Sequence, residues 1–203
     1  MTPPEFELLD YRRRVHALYA RVRADPDPAR AFAAWVAERD DLFARHPQSA
    51  LPAERRARFS GLAYFPHDPR GRVLADVVAT GRRRYDVPSS DGQAMSFERV
   101  GVARFSLDDA PCELELYWLL GYGGGLFVPF ADATAGEETY GAGRYLLDTV
   151  KGADLGTRDG RLVLDFNLAY NPSCSYDPRW SCPLAPPPNR LTIPVRLGER
   201  HAG

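Results

Sequence analysis

The apolar positions of this chain change their period once. Over the first 46 residues they recur at helical spacing, with Leu8, Tyr11, Val15, Leu18, Tyr19 and Val22 on one stripe and arginines on the other. Thr2, Pro3 and Glu5 place a Thr-x-x-Glu capping box at the start, with proline at the first helical position. Asp25-Pro26-Asp27-Pro28 ends that helix and opens a second, with Asp27 as its cap. Phe32, Trp35, Val36, Leu42 and Phe43 form the second stripe. It stops before His46-Pro47, because proline pushes the residue before it out of the α region.

Beyond Phe59 the period shortens to that of strands. Val73 to Ala79, Ala94 to Leu107 and Glu113 to Leu120 are rich in strand formers, separated by Gly81, Ser89 to Gly92, and Asp108 to Pro111. Cys112, Leu114, Leu116 and Trp118 alternate with Glu113, Glu115 and Tyr117, as expected of a half-buried strand. Gly121 to Gly125 leads into a short strand from Leu126 to Pro129. Arg144 to Val150 and, after the turn Arg158-Asp159-Gly160, Arg161 to Phe166 extend the sheet, and Thr192 to Leu197 is the expected closing strand. Strands and helices do not alternate in this part, which disfavours a parallel doubly wound fold. The expectation is an α+β, mainly β fold: an antiparallel barrel or sandwich-like sheet with two N-terminal helices packed against it. It forms one domain over residues 1–203, with a helical lead-in at 1–46 and a β-rich body at 59–198.

Composition narrows the function classes. An apolar fraction of 44% and a charged fraction of 26% are those of a globular protein, and a net charge of −1 gives no general draw toward nucleic acid or anionic membrane. Lys151 is the only lysine; with the many alanines, the arginine excess reads as a GC-rich coding bias before it reads as phosphate-binding chemistry. Arg12-Arg13-Arg14 and Arg82-Arg83-Arg84 are candidate basic patches, but Asp10 and Asp86 beside them favour solvated faces. The first ten residues do not have the form of a signal peptide, and no apolar run reaches bilayer length. A cytoplasmic location with reduced cysteines is therefore expected.

The three asparagines, Asn167, Asn171 and Asn189, all fall in the C-terminal stretch, together with Cys174 and Cys182. Such amides either build turns or contact a ligand. Two blocks carry a family likeness. One runs Phe130-Ala-Asp132-Ala-Thr134-Ala-Gly136-Glu-Glu-Thr139-Tyr140-Gly-Ala-Gly143-Arg144-Tyr145. The other runs Asp165-Phe166-Asn167-Leu-Ala-Tyr170-Asn171-Pro172-Ser-Cys174-Ser-Tyr176, continuing to Cys182-Pro183 and Asn189. This pattern resembles the domain-of-unknown-function family numbered 1684, with Ala185 departing from an expected proline. The resemblance supplies a place on the chain and no activity.

Several chemistries fit poorly. Seven residues separate Cys174 from Cys182 with no histidine nearby in sequence, and Asp132, Asp165 or His67 could join them only through folding, so no metal is expected. A disulfide between them is possible by spacing, but a reducing compartment and the leftover Cys112 count against it. Cys174 as a nucleophile would need a base, for which His46 and His67 are the histidines outside the terminal regions. No Gly-x-Ser-x-Gly elbow is present. Gly121-Tyr-Gly123-Gly124-Gly125 lacks the Lys-Ser/Thr of a phosphate loop, and Gly141-Ala-Gly143 precedes a strand, so both read as turns. No cofactor is expected.

What remains is a polar and aromatic group from segments 130–145 and 165–182. In the leading reading it lines a pocket for a small anionic molecule: Arg144 clamps the anion, Asn167 and Asn171 orient it, and Thr139, Tyr140, Tyr170 and Tyr176 complete the walls. A second reading is a hydrolase or lyase with Asp132, Asp165 or Cys174 as catalytic candidates and Arg144 stabilising negative charge. In a third, Arg144 pairs with Asp132 or Asp165 in a buried network and the domain is a structural or interaction module. Nucleic acid and membrane are not expected partners.

Overall fold

The computed structural model describes residues 3–121 and 123–201. Helix α1 spans Pro4–Ala24 with Pro3 at its N-cap; Thr2, the expected cap, lies outside the described residues. Helix α2 spans Pro28–Arg45 and is capped as expected: the Asp27 carboxylate accepts from the Ala29 and Arg30 amides at 3.0 and 3.2 Å. It ends at Arg45, with extended backbone at His46 before Pro47. A single turn, α3, follows at Ala53–Arg56.

The body is one antiparallel sheet of β1 (Arg72–Pro88), β2 (Ala94–Leu107), β3 (Ala110–Leu119), β4 (Leu126–Phe130), β5 (Arg144–Asp148), β6 (Thr157–Arg158) and β7 (Arg161–Asp165), in the order β5-β4-β3-β2-β1-β7-β6. The sheet is open, which corrects the expectation of a barrel. The closing strand expected at Thr192–Leu197 does not form. Pro194 removes a ladder donor there, and the neighbouring polar groups have other partners. The Val195 amide donates to Asp132 at 3.1 Å, and the carbonyls of Val195 and Leu197 accept from Arg144.

A second correction concerns β3. Arg99 faces Tyr117 and Gly101 faces Leu116, so Val100 is an extra residue in β2. Such a bulge changes which face is buried along the pair. Leu114 and Leu116 enter the main core with Phe105, Val128, Phe130, Leu164 and Phe166, as the alternation required. Beyond the bulge Tyr117 is buried instead, with Val87, Phe97, Phe127 and Tyr145, and Trp118 is left 42% exposed.

The two helices pack where β1 and β7 pair. Leu162 and Leu164 of β7 face the main core. Val163, on the other side, meets Leu18, Tyr19, Val22 and Trp35 of the helices. Only the C-terminal half of the α1 stripe is buried; Leu8 remains 40% exposed, and Tyr11 and Val15 are half-buried. That uncovered half borders a cleft.

Candidate ligand site

The residues singled out in the sequence separate into a sealed network and one wall of this cleft. The network is centred on Arg144. Gly143 precedes it with φ +97°, and a side chain at that position would stand 2.6 Å from the Phe130 carbonyl, so only glycine fits. Arg144 is 1% exposed. Its guanidinium donates to Asp132 at 2.8 Å, to Val195 O at 2.9 Å, to Glu199 O at 3.2 Å and to Leu197 O. Asp132 is filled as well, accepting from the Thr134 amide and hydroxyl at 2.9 and 2.6 Å, and Thr134 bonds Thr139 at 2.9 Å. Arg144, Asp132 and Thr139 thus hold the C-terminal segment to the body and present no free group to a solute.

Asp165 and Asn167 form a second local unit. Asp165 accepts from the amide and side chain of Asn167 at 3.0 and 2.9 Å, while Asn167 pairs with both backbone groups of Asp68. Burial raises the Asp165 carboxyl above its usual range, with the Asn167 bonds opposing. Asp165 borders none of the principal cavities. Asn189 is fully buried and imitates a strand. Its amide accepts from Glu115 N at 2.8 Å and donates to Glu115 O and Pro129 O at 3.0 and 2.7 Å, bridging β3 and β4.

The cleft lies between the helices and the loop 170–182. It has a volume of about 210 Å³, with a narrow extension of about 40 Å³ between α1 and α2. Tyr170 and Asn171 reach it from the singled-out set, and so does Cys182. Tyr176 does not line it, but its hydroxyl donates to Glu199, which carries the cleft's Arg39. Tyr140 and Cys174 do not line it; the Tyr140 hydroxyl lies 3.9 Å from the Cys174 sulfur.

Among the described residues three cations border the cleft, Arg12, Arg39 and Lys151, and no aspartate or glutamate does. Arg39 is enclosed by Trp35, Phe43 and Tyr170, whose ring centres lie 4.8, 5.3 and 5.1 Å from its guanidinium carbon. It donates to Tyr64 at 3.0 Å and to Glu199 at 2.7 Å. Lys151 lies 5.9 Å from the Tyr145 ring centre and 3.3 Å from Asp148, with 48% of its side chain exposed. Gly152 makes its position possible: φ is +83° and the His16 ring of α1 packs 2.7 Å from where a Cβ would stand. Arg12 has no carboxylate partner among the described residues.

One buried polar group of the cleft wall, Asn171 Oδ1, has no hydrogen-bond partner among the described residues, while the Tyr19 hydroxyl and Trp35 Nε1 adjoin each other in the narrow extension. Buried polar atoms are normally paired, so this oxygen needs a water or a ligand atom. Asn171 is otherwise fixed, its amide donating to Glu199 at 3.0 Å and its side chain to Arg200 O at 3.0 Å. Three other depressions are larger, up to about 590 Å³, and each is bordered by an acidic residue: Asp25, Glu54 or Asp76.

Arg39, Lys151 and Glu199 are not among the sequence candidates, and Arg12 enters there only as part of a basic patch read as a solvated face. One signal was present for Arg39. It lies four residues after Trp35 and three before Leu42, which puts a charge on the apolar stripe of α2.

Comparison with known proteins agrees with the likeness read from the two blocks. The family described as "Protein of unknown function (DUF1684)" matches residues 57–200. A solution NMR structure of an uncharacterized protein from Haloarcula marismortui is 38% identical, with a TM-score of 0.60, covering 83% of this chain and 91% of that one. No curated protein matches. Leu8, Tyr11, Arg12, Arg39 and Phe43 of the cleft come from α1 and α2, before the family-matched segment.

Proposed function

The chain belongs to the DUF1684 family, and on that premise we propose that the cleft binds a small anionic molecule with an apolar or aromatic portion. The observation that carries this reading is the lining among the described residues: three cations, no carboxylate, and aromatic walls from Tyr11, Phe43, Tyr145, Tyr170 and Trp180. Lys151 and Arg12 are exposed enough to meet an anion at the mouth. Arg39 sits deeper, its charge already matched by Glu199, and offers a flat cationic wall. The orphaned Asn171 Oδ1 would accept one hydrogen bond from the ligand. A volume near 210 Å³ is below the roughly 300–1,000 Å³ of drug-sized pockets and suits a compact metabolite.

The anion-binding role placed on Arg144 in the sequence passes, in this proposal, to Lys151 and Arg12, while Arg144 anchors the backbone behind the loop. No carboxylate borders the cleft among the described residues, so nothing in its geometry favours a hydrolase or lyase with a carboxylate base.

Native mass spectrometry on protein purified from its own host tests the proposal. The expected result is an added mass that denaturation releases and that the Lys151→Ala variant carries at reduced occupancy. An added mass retained equally by Lys151→Ala and Arg12→Ala would place the ligand elsewhere.

A further inference from the structure

The two helices present the same spacing where they pack together. Tyr11, Val15 and Leu18 of α1 and Trp35, Arg39 and Leu42 of α2 each follow the pattern i, i+4, i+7 of one helical face. Between these stripes runs the narrow extension of the cleft, with about 40 Å³ of space. It is continuous with the wider cleft, since Tyr11, Arg39, Phe43, Lys151 and Tyr170 border both. Val15, Leu18, Leu42 and Ala153 border the extension and not the wider cleft. Of the polar groups in its walls, the Tyr19 hydroxyl and Trp35 Nε1 adjoin each other, and Arg39 donates to Tyr64 and Glu199. The extension is therefore lined mainly by carbon. Such a space favours an apolar group over water, which needs roughly two to four polar partners.

We propose that the ligand of the cleft is an aromatic carboxylate carrying a short alkyl arm, and that the arm enters between α1 and α2. This inference rests on the anion binding proposed above and names the class of molecule bound. The carboxylate meets Lys151 and Arg12, the ring lies along Tyr145, Tyr170 and Trp180, and the arm reaches Val15, Leu18 and Leu42. A water-sized group needs roughly 10–15 Å³ of such space, so about 40 Å³ takes an arm of about three carbons. Each carbon buried there raises affinity about fourfold. Val15, Leu18 and Leu42 thereby set the length of arm that the cleft accepts.

Calorimetric titration with benzoate and its 3- and 4-alkyl derivatives, from methyl to butyl, tests this. In at least one of the two series the wild-type chain is expected to gain about fourfold per carbon up to propyl and nothing further at butyl. Val15→Phe, at a half-buried position, puts a ring into the extension. It should bind benzoate as the wild type does and lose the gain along the series. Wild-type affinities that stay flat along both series, with benzoate bound, would overturn the alkyl arm and leave the anion site standing. An undiminished gain in Val15→Phe, or one that continues through butyl, would put the arm outside the extension and overturn the proposal as well. Binding of none of these acids would overturn the arm and the anion site together.

Discussion

Arg39 on α2 and Glu199 near the end of the β-rich body are 160 residues apart in sequence, and their side chains meet at 2.7 Å. This pair joins the helical lead-in to the body, and it fixes the arginine that forms the cationic wall of the cleft. Glu199 is 1% exposed and also accepts from Asn171 N and the Tyr176 hydroxyl.

Glu199 should give stability a specific pH dependence. Burial raises its folded-state pKa above the usual 4.5, and Arg39 and the Asn171 bonds only partly oppose this. The folded chain then holds the Glu199 proton more tightly than the unfolded chain does. Its contribution is full below pH 4.5 and is lost as pH rises through the folded value. Urea unfolding from pH 4 to pH 7 should show Glu199→Gln gaining on wild type as pH rises; a constant difference would contradict the assignment.

The Arg144–Asp132 pair should behave as structure. Arg144→Ala leaves Asp132 buried and unpaired and frees the Val195 and Leu197 carbonyls, so a loss of roughly 3–5 kcal/mol is expected. Chemical denaturation checks this, and a loss under about 1 kcal/mol would mean the pair is far less important.

Much of this was legible in the sequence, for identifiable reasons. Periodicity and prolines set both long helices, and β2 begins and ends where its turns demand, at Ala94 and Leu107. Asp132, Thr139 and Arg144 read as a polar cluster because three hydrogen-bonding side chains fall within one short segment. Burial decides whether such a cluster is a network or a pocket, and one-dimensional sequence carries no burial for loops. The Val100 bulge was hidden because Arg-Val-Gly reads equally as continuous strand. Thr192–Leu197 has strand composition, but its backbone partners are a buried arginine and aspartate, which propensity does not register. The cleft was illegible because its two walls lie about 130 residues apart along the chain, the separation of the Trp180–Ala50 hydrogen bond.

Asn189 should prove the most structural of the asparagines. Asn189→Ala leaves Glu115 N, Glu115 O and Pro129 O without their side-chain partner, and a loss of about 1–3 kcal/mol is expected. Asn189→Asp should be no better, since it restores the acceptor and not the two donated bonds. Thermal unfolding of both variants checks this.

Substitutions at the mouth of the cleft should separate binding from folding. Lys151→Ala and Arg12→Ala remove exposed charges whose strongest contact is the Lys151–Asp148 pair at 3.3 Å. Each should change stability by less than about 0.5 kcal/mol. Circular dichroism melts that matched those of Arg144→Ala would mean that these residues support the fold instead.

The most direct measurement is calorimetric titration of the wild-type chain and the Arg12→Ala/Lys151→Ala variant. A panel of small aromatic carboxylates would be used, with their amides as neutral isosteres. Saturable binding of a carboxylate over its amide is expected, weakened by salt and by about tenfold or more in the double variant, the worth of one charge-assisted contact. Equal binding of acid and amide, or an unchanged affinity in the double variant, would contradict it.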